Sequence, residues 1–295
     1  MDRNVWCQSL VDRLLDLALD EDIGPGDATT AALFPGAGRE AKGFFTARDP
    51  GVLAGGEVVS RLYSRLSARY YDDSGAVRVK ALLADGTAFT AGTRLLEISG
   101  DARVILTGER TALNLLQRLC AVASRTRTYV DRVRGTRAVI LDTRKTLPGH
   151  RILDKLAVVA GGGSNHRLGL YDMILIKDNH LAAFGGAAAA IRAARQASTL
   201  PVMVEVDNLE QLADALTAQP DYVLLDNMTP ERLAEAVALT DARVREKGGK
   251  RPALEASGGV NLDTVAQVAK SGVDRISVGA LTHAAGSLDI GLDFS

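Results

Sequence analysis

PVMVEVDNLEQLADALTAQPDYVLLDN, residues 201–227, holds two apolar runs separated by one amphipathic stretch. Val202–Val206 and Tyr222–Leu225 are rich in aliphatic and β-branched residues, the composition of strands buried on both faces. Between them Asn208, with Gln211 three residues later, predicts a capped helix start. A strand, a helix and a second strand in so short a span predict parallel pairing through a crossover. The alternation extends in both directions. RAVILD (137–142), YDMILIK (171–177), PALEAS (252–257) and DRISVG (274–279) read as further strands, and Thr229-Pro230 opens another helix. Such a set predicts either a doubly wound parallel sheet or an incomplete barrel.

The positions of the polar residues favour the barrel. The apolar runs end in Asp142-Thr143-Arg144-Lys145, Lys177-Asp178-Asn179-His180, Glu205-Val206-Asp207, Asp226-Asn227, Ser257-Gly258-Gly259 and Gly279-Ala280. In a barrel all of these ends converge on one mouth. In a doubly wound sheet they spread along an edge and meet only at the switch point.

The N-terminal part has a different texture. Apolar positions from Val5 to Leu19 recur at helical spacing, and Gly24-Pro25-Gly26 ends that helix. Residues 42–106 read as short strands around a helical EVVSRLYSRLSARY, with Asp85-Gly86 as a hairpin signal, and a long helix follows from Thr107 to about Arg134. Charge interrupts the first 22 residues too often for a signal peptide or a membrane span. Lys and Arg (35) balance Asp and Glu (36), which argues against a dedicated nucleic-acid or anionic-membrane binder. Two distant cysteines, Cys7 and Cys120, predict no disulfide framework or zinc site and suit a reducing cytoplasm.

Three of the four histidines (His150, His166, His180) fall between residues 142 and 180, among several cations. Arg151 and Lys155 fit solvated helix faces. Arg144, Lys145 and Lys177 directly follow apolar strands, and His166-Arg167 follows Gly161–Gly163, glycines that let the backbone turn and approach a ligand. Each cation–anion contact near 4 Å contributes about 4 kcal/mol at an effective dielectric near 20, most of it offset by desolvation. A net gain therefore calls for a polyanionic guest, whose carboxylates or phosphates suit the planar arginine fork. Glu205 and Asp226, on adjacent strand ends, suit Mg²⁺ or ribose hydroxyls. Ser257-Gly258-Gly259, before a helix read as opening at Asn261, and Val278-Gly279-Ala280 follow the last two strands, where barrels often hold a phosphate.

LDTRKTLPGHRILDKLAVVAGGGSNHRLGLYDMILIKDNH (141–180) resembles the quinolinate phosphoribosyltransferases, as do EDIGPGDATT, GERTALNLLQRL, VEVD, LLDNM, EASGG and ISVGALTH. The resemblance implies an α/β fold: an N-terminal α/β sandwich domain over 1–115, with 281–295 packing back on it, and a C-terminal incomplete (β/α) barrel of parallel strands over 116–280. It implies condensation of quinolinate with 5-phosphoribosyl-1-pyrophosphate to nicotinate mononucleotide, pyrophosphate and CO₂, with Mg²⁺, in a cytoplasmic homodimer or higher homo-oligomer. By the same resemblance Thr143, Arg144, Lys145, His166, Arg167 and Lys177 form the cationic pocket. Glu205 and Asp226 face ribose and metal, and Ser257, Gly258, Gly259, Val278, Gly279 and Ala280 hold the 5-phosphate. Lys145, Glu205 and Asp226 are the groups implied in catalysis. Arg110 resembles the arginine inserted from the neighbouring subunit, although Glu109-Arg110 also suits a helix cap. Two other readings stay open on sequence alone: a related phosphoribosyltransferase with another acceptor, and a non-catalytic barrel that binds a phosphometabolite.

Overall fold

The computed structural model describes residues 3–36, 38–71 and 77–295; the side chains of residues 1–7, Val5 and Cys7 among them, lie outside that description. The chain begins with α1 (Arg3–Ile23), α2 (Ala28–Leu33), β1 (Glu40–Ala47), β2 (Gly51–Val52), α3 (Gly56–Tyr70), β3 (Val77–Ala81), β4 (Ala88–Phe89), β5 (Arg94–Asp101) and α4 (Ala102–Arg132). Then follow β6 (Val139–Leu141), α5 (Arg151–Ala160), β7 (Ile174–Ile176), α6 (Asp178–Phe184), α7 (Ala187–Ala197), β8 (Val202–Val206) and α8 (Leu209–Leu216). The last elements are β9 (Tyr222–Asp226), α9 (Pro230–Lys247), β10 (Ala253–Ser257), α10 (Val265–Lys270), β11 (Arg275–Ser277), α11 (Ala280–His283) and β12 (Ile290–Phe294). Two compact units result: Met1–Arg127 with Thr146–Gly162 and Thr282–Ser295, and Thr128–Lys145 with Gly163–Leu281. Among the described residues no helix is long and apolar enough to cross a membrane.

In the first unit an antiparallel sheet runs in the order β12-β1-β5-β3. Its C-terminal strand returns to pair with β1, Phe45 opposite Leu292. Phe45, Leu95, Leu96 and Ile98 from the sheet are fully buried, as are Leu62 and Leu66 of α3 and Ile105 of α4. Each such side chain contributes about 1.5–3 kcal/mol by leaving water. Helices α3 and α4 approach so closely at Gly108 that an added Cβ would lie 2.6 Å from the Tyr63 ring. The Tyr63 hydroxyl donates to the Ile105 carbonyl at 3.0 Å, so this buried hydroxyl is satisfied.

Several local expectations change here for identifiable reasons. Asp85-Gly86 closes no hairpin between its flanking strands: β3 pairs with β5, and β4 with β2. The Asp85 carboxylate instead accepts the amides of Gly55 and Gly56 at the start of α3, at 2.8 and 3.2 Å. Helix α4 starts at Ala102 rather than Thr107, immediately after β5. Glu109-Arg110 therefore lies two turns inside the helix and cannot cap it, and the Arg110 side chain is exposed. Gly161 serves packing: an added Cβ would lie 2.4 Å from the Ala123 carbonyl and 2.6 Å from Thr126 of α4. Lys155, read as solvated, is only 3% exposed, and its neighbour Asp154 is fully buried and paired with Arg118 of α4 at 3.4 Å. On the same short helix Leu156 and Val159 are 54% and 52% exposed, so part of its apolar surface faces outward.

Along α1 and α3 a ladder of charges replaces apolar contact at the rim. Arg61 donates to Asp12 at 2.6 Å, Arg65 to Asp16 at 2.6 Å and Arg69 to Asp20 at 2.8 Å. Residues four apart on each helix face the same way, so the aspartates and arginines mesh rung by rung. Hydrogen bonding from Arg65, against the upward push of burial, holds the Asp16 carboxyl below its ordinary 3.8. A carboxyl depressed by folding stabilises the native state above its unfolded pKa, and that contribution disappears as pH falls through the lower folded value. Because the pair is partly solvated its contribution is about 1 kcal/mol. Asp16→Asn should therefore lower the thermal midpoint at pH 7 by roughly 2–4 °C. The gap to the parent should narrow as pH drops below the ordinary carboxylate range; an equal gap at pH 7 and pH 3 in scanning calorimetry would remove the charge from the explanation.

The second unit carries the alternation read from the sequence. All of its strands are parallel, in the order β6-β11-β10-β9-β8-β7, with helices between them. The edge strands β6 and β7 do not pair with each other, so the barrel is incomplete. Asn208 accepts the Gln211 amide at 2.9 Å while Gln211 accepts the Asp207 amide at 2.8 Å, and Thr229 caps α9 ahead of Pro230. One helix starts later than expected. Asn261 accepts the amides of Asp263 and Thr264 at 2.9 and 3.1 Å, folding a turn that delays α10 to Val265.

Candidate active site

Strand register determines which side chains share the barrel interior. Leu175 lies beside Met203, Met203 beside Tyr222, Glu205 beside Leu224 and Leu224 beside Glu255. Asp226 lies beside Ser257, Glu255 beside Arg275 and Ser277 beside Leu141. Residues aligned in this way project from one face, and alternate residues of each strand join them. On that face Met173, Met203 and Leu224 form an apolar cluster, with Leu175 and Tyr222 packed against it. Toward the C-terminal ends the same face turns polar, with Lys177, Glu205, Asp226, Ser257 and Ser277.

Lys177 and Glu205 are paired, and Asp226 is held by its neighbour. The Lys177 ammonium donates to Glu205 at 2.9 Å, and its backbone N–H donates to His180 Nδ1 at 2.9 Å, fixing the strand-to-α6 turn. Asp226 accepts from the Asn227 side-chain amide at 2.7 Å. Asn227 adopts the left-handed region, φ 51°, and its amide nitrogen bonds the Ser257 carbonyl at 2.9 Å. Gly258 makes room for it: a Cβ there would lie 2.1 Å from Asn227 Oδ1. Gly259, at φ 62°, has open space beside it. The Thr143 hydroxyl accepts the Lys145 amide at 3.0 Å, and the Val278 amide bonds the Leu141 carbonyl at 2.9 Å, joining the ends of β6 and β11. Ala280 begins α11 directly after Gly279.

Among Arg144, Lys145, Arg167 and Lys177, Arg167 is the most enclosed at 9% exposure, and it donates to the Met173 carbonyl at 3.3 Å. Burial first, then the like charge of Arg144, hold its guanidinium below the usual arginine range, while Asp172 and Glu205 pull it back. Arg144, Arg167 and Glu205 therefore share one electrostatic field, and Lys177 joins it through Glu205. The exposed side chains of Arg144 and Lys145 stand at the end of β6.

The segment from Ser164 to Arg167 follows a turn in which Gly162 takes φ 92°, and β6 then positions it. Ser164 forms a parallel bridge with Leu141, its amide donating to the Ile140 carbonyl at 2.8 Å. The fully buried Asp142 accepts the His166 amide at 2.9 Å. Both ring nitrogens of His166 then meet protein groups: Nδ1 accepts the Arg167 amide at 2.7 Å, and Nε2 lies 3.3 Å from Glu255. Glu255 is 0% exposed and also accepts from Arg275 at 2.9 Å and Ser277 at 2.6 Å. Burial alone pushes its carboxyl up, but the contacts with His166, Arg275 and Ser277 outweigh burial and hold it below the ordinary glutamate value. The Arg275 guanidinium lies 4.7 Å from the centre of the Tyr222 ring, closing the floor of this network.

Reading the sequence for strand ends passed over Glu255, Arg275 and Ser277. A signal was present: a charge inside the otherwise apolar strand ALEAS contradicts burial on both faces unless partners wait for it. Asp142 was noticed as a strand end without a role, and its part is to hold the His166 backbone.

Residues 27–120 match the quinolinate phosphoribosyl transferase N-terminal domain, and residues 122–293 match the C-terminal domain of the same family. The nicotinate-nucleotide pyrophosphorylase [carboxylating] of Mycobacterium leprae is 46% identical over 278 residues, covering 94% of this chain and 94% of that protein. The Bacillus subtilis protein named probable nicotinate-nucleotide pyrophosphorylase [carboxylating] is 39% identical over 285 residues, 95% of this chain and 92% of its own length. Among solved structures, the nicotinate-nucleotide pyrophosphorylase from Francisella tularensis superposes with a TM-score of 0.87 at 35% identity, covering 97% of this chain and 96% of that one. NadC from Streptococcus pyogenes gives 0.86 at 38% identity, covering 97% of each chain. Both halves of the sequence and both folds agree, and the chain belongs to the quinolinate phosphoribosyl transferase family.

Proposed function

We propose that this protein is a decarboxylating pentosyltransferase that joins quinolinate to the ribose of 5-phosphoribosyl-1-pyrophosphate, giving nicotinate mononucleotide, pyrophosphate and CO₂ for NAD biosynthesis. The observation that carries the proposal is the enclosed Arg167 beside the like charge of Arg144, on a barrel mouth that also holds Lys177 and Glu205. Such a site is relieved by a guest with two adjacent carboxylates and a pyrophosphate tail. Arg144, Lys145, Arg167 and Lys177, with Thr143 beside them, receive the carboxylates and the leaving pyrophosphate, and His166 belongs to the same pocket wall. Ser257, Gly258, Gly259, Val278, Gly279 and Ala280 cradle the 5-phosphate.

The chemistry follows from placing charge where it develops. The pyridine nitrogen forms a bond to the anomeric carbon as the bond to pyrophosphate breaks and its electron pair leaves with the pyrophosphate oxygen. Preorganised cations stabilise that oxygen, and holding nitrogen and carbon in contact supplies much of the remaining rate. Glu205 and Asp226 favour the positive sugar. Lys145 lies at the end of β6, where it suits the departing oxygens. The positive ring nitrogen then stabilises the electron pair left on the adjacent ring carbon as its carboxylate departs as CO₂, and a proton from water takes up that pair, so the ring nitrogen stays positive in the product. No dedicated general base is required.

Glu205 and Asp226 also suit Mg²⁺, directly or through water. Among the described residues no group of three or more His, Cys, Asp or Glu side chains gathers for a metal. The two carboxylates therefore fit an ion that completes its shell with water and substrate oxygens, as Mg²⁺ does. When bound, it would neutralise part of the pyrophosphate charge.

A cytoplasmic homodimer or higher homo-oligomer, with Arg110 reaching the partner's site, is part of the proposal. Exposed Arg110 on α4 and the outward Leu156 and Val159 on α5 support a surface made for another copy.

Purified protein should release pyrophosphate and CO₂ together when given quinolinate, phosphoribosyl pyrophosphate and Mg²⁺; binding of both substrates without release would leave only a binding protein. Lys177→Ala removes a charge-assisted contact, so its kcat/KM for quinolinate should fall about 10- to 100-fold. An unchanged value would take Lys177 out of the site.

The role of Arg110 has its own test. Arg110→Ala and Lys177→Ala variants, each reduced about 10-fold or more at limiting quinolinate, should together recover about a quarter of parental activity when mixed and allowed to exchange subunits, because half of the dimers are mixed and half of the sites in those are whole. No recovery in a mixture shown to exchange would mean that Arg110 serves its own subunit or no site at all.

A further inference from the structure

Three donors converge on the Glu255 carboxylate in the barrel interior: the Arg275 guanidinium at 2.9 Å, the Ser277 hydroxyl at 2.6 Å and the His166 ring at 3.3 Å. A fully buried carboxylate is costly unless its oxygens are satisfied, and here they are. The other ring nitrogen of His166 accepts a backbone N–H, that of Arg167, at 2.7 Å. A backbone amide is always a donor, so His166 Nδ1 carries no proton. The proton resides on Nε2, facing Glu255. The ring is therefore neutral and committed at both ends within the protein.

We propose that Glu255 is a positioning residue: it fixes His166 as the neutral Nε2–H tautomer, and through the ring it fixes the backbone from which Arg167 enters the pocket. This inference rests on the quinolinate reading above and refines it. His166 then contributes no positive charge to the dicarboxylate, which is met by the arginines and lysines alone. Three links support the chain of positioning. Asp142 holds the His166 amide at 2.9 Å, the ring holds the Arg167 amide, and the Met173 carbonyl receives the Arg167 guanidinium at 3.3 Å. A second-layer carboxylate that sets a histidine tautomer is a known way of locating a neighbouring functional group. Arg275 and Ser277 hold Glu255 itself, so strands β10 and β11 and the segment after α5 are coupled through one carboxylate.

Nitrogen-15 NMR of histidine-labelled wild-type protein at pH 7, with the His166 signals assigned by loss in His166→Gln, tests this directly. The expected pattern is a protonated Nε2 and an unprotonated Nδ1, unchanged when quinolinate is added. Protonation at both nitrogens, or at Nδ1, with or without quinolinate, overturns the proposal. Glu255→Gln offers an amide where one donor needs an oxygen. It should disturb the His166 signals and raise the quinolinate KM roughly tenfold while kcat stays within about threefold. Undisturbed His166 signals, or a quinolinate KM within about twofold of the parent, would also overturn it. Should Glu255→Gln fail to fold, the wild-type spectrum decides alone. Wild-type protein that lacks turnover with quinolinate would sink the functional reading, yet the tautomer experiment would still stand or fall by itself.

Discussion

A guanidinium taken almost out of water, with another guanidinium in its field, is the constraint on which the second unit depends. Arg167 is held below its usual range by burial and by Arg144, and the attraction of Asp172 and Glu205 only partly offsets this. Such an arrangement does not arise from packing alone, because apolar side chains of similar volume would fill the space at less cost. It persists because His166 holds the Arg167 backbone and the Met173 carbonyl receives its guanidinium. Asp142 and Glu255, both fully buried, hold His166, the residue before Arg167: Asp142 accepts its backbone N–H, and Glu255 lies 3.3 Å from its Nε2.

The parallel sheet makes this possible through simple periodicity. Alternate residues of adjacent strands share the interior, so one face passes from an apolar floor at Met203 and Leu224 to carboxylates at Glu205 and Asp226 within two residues. Glu205 has two possible partners. It accepts from Lys177 at 2.9 Å. In the proposed reaction a bound dicarboxylate would draw Lys177 away and leave Glu205 to face the positive sugar.

Much of this was legible in the sequence, because much of it is local. Apolar runs such as PVMVEV and YVLL fix strand positions, and Asn208 with Gln211 fixes a helix start, through contacts a few residues apart. The polar strand ends were legible for the same reason. What escaped depends on partners distant in the chain. Asp85 reads as a turn residue, yet its carboxylate belongs to α3, 29 and 30 residues away. Gly161 reads as freedom near a ligand, yet a neighbouring helix simply leaves no room for a Cβ. Lys155 reads as solvated because helical spacing cannot reveal an inverted helix whose charges are buried. Glu255 needed the register of β10 against β11 before its three donors could be seen together.

The central claim is that these cations are assembled for two carboxylates on one ring, and acceptor discrimination tests it most directly. With phosphoribosyl pyrophosphate saturating, the quinolinate KM should be compared with the inhibition constants of nicotinate and picolinate, which each lack one carboxylate. Loss of one charge-assisted partner set should weaken binding at least about tenfold for both. Monocarboxylates that bind as tightly as quinolinate would contradict the account, for the mouth would then be reading a ring and not a pair of negative charges.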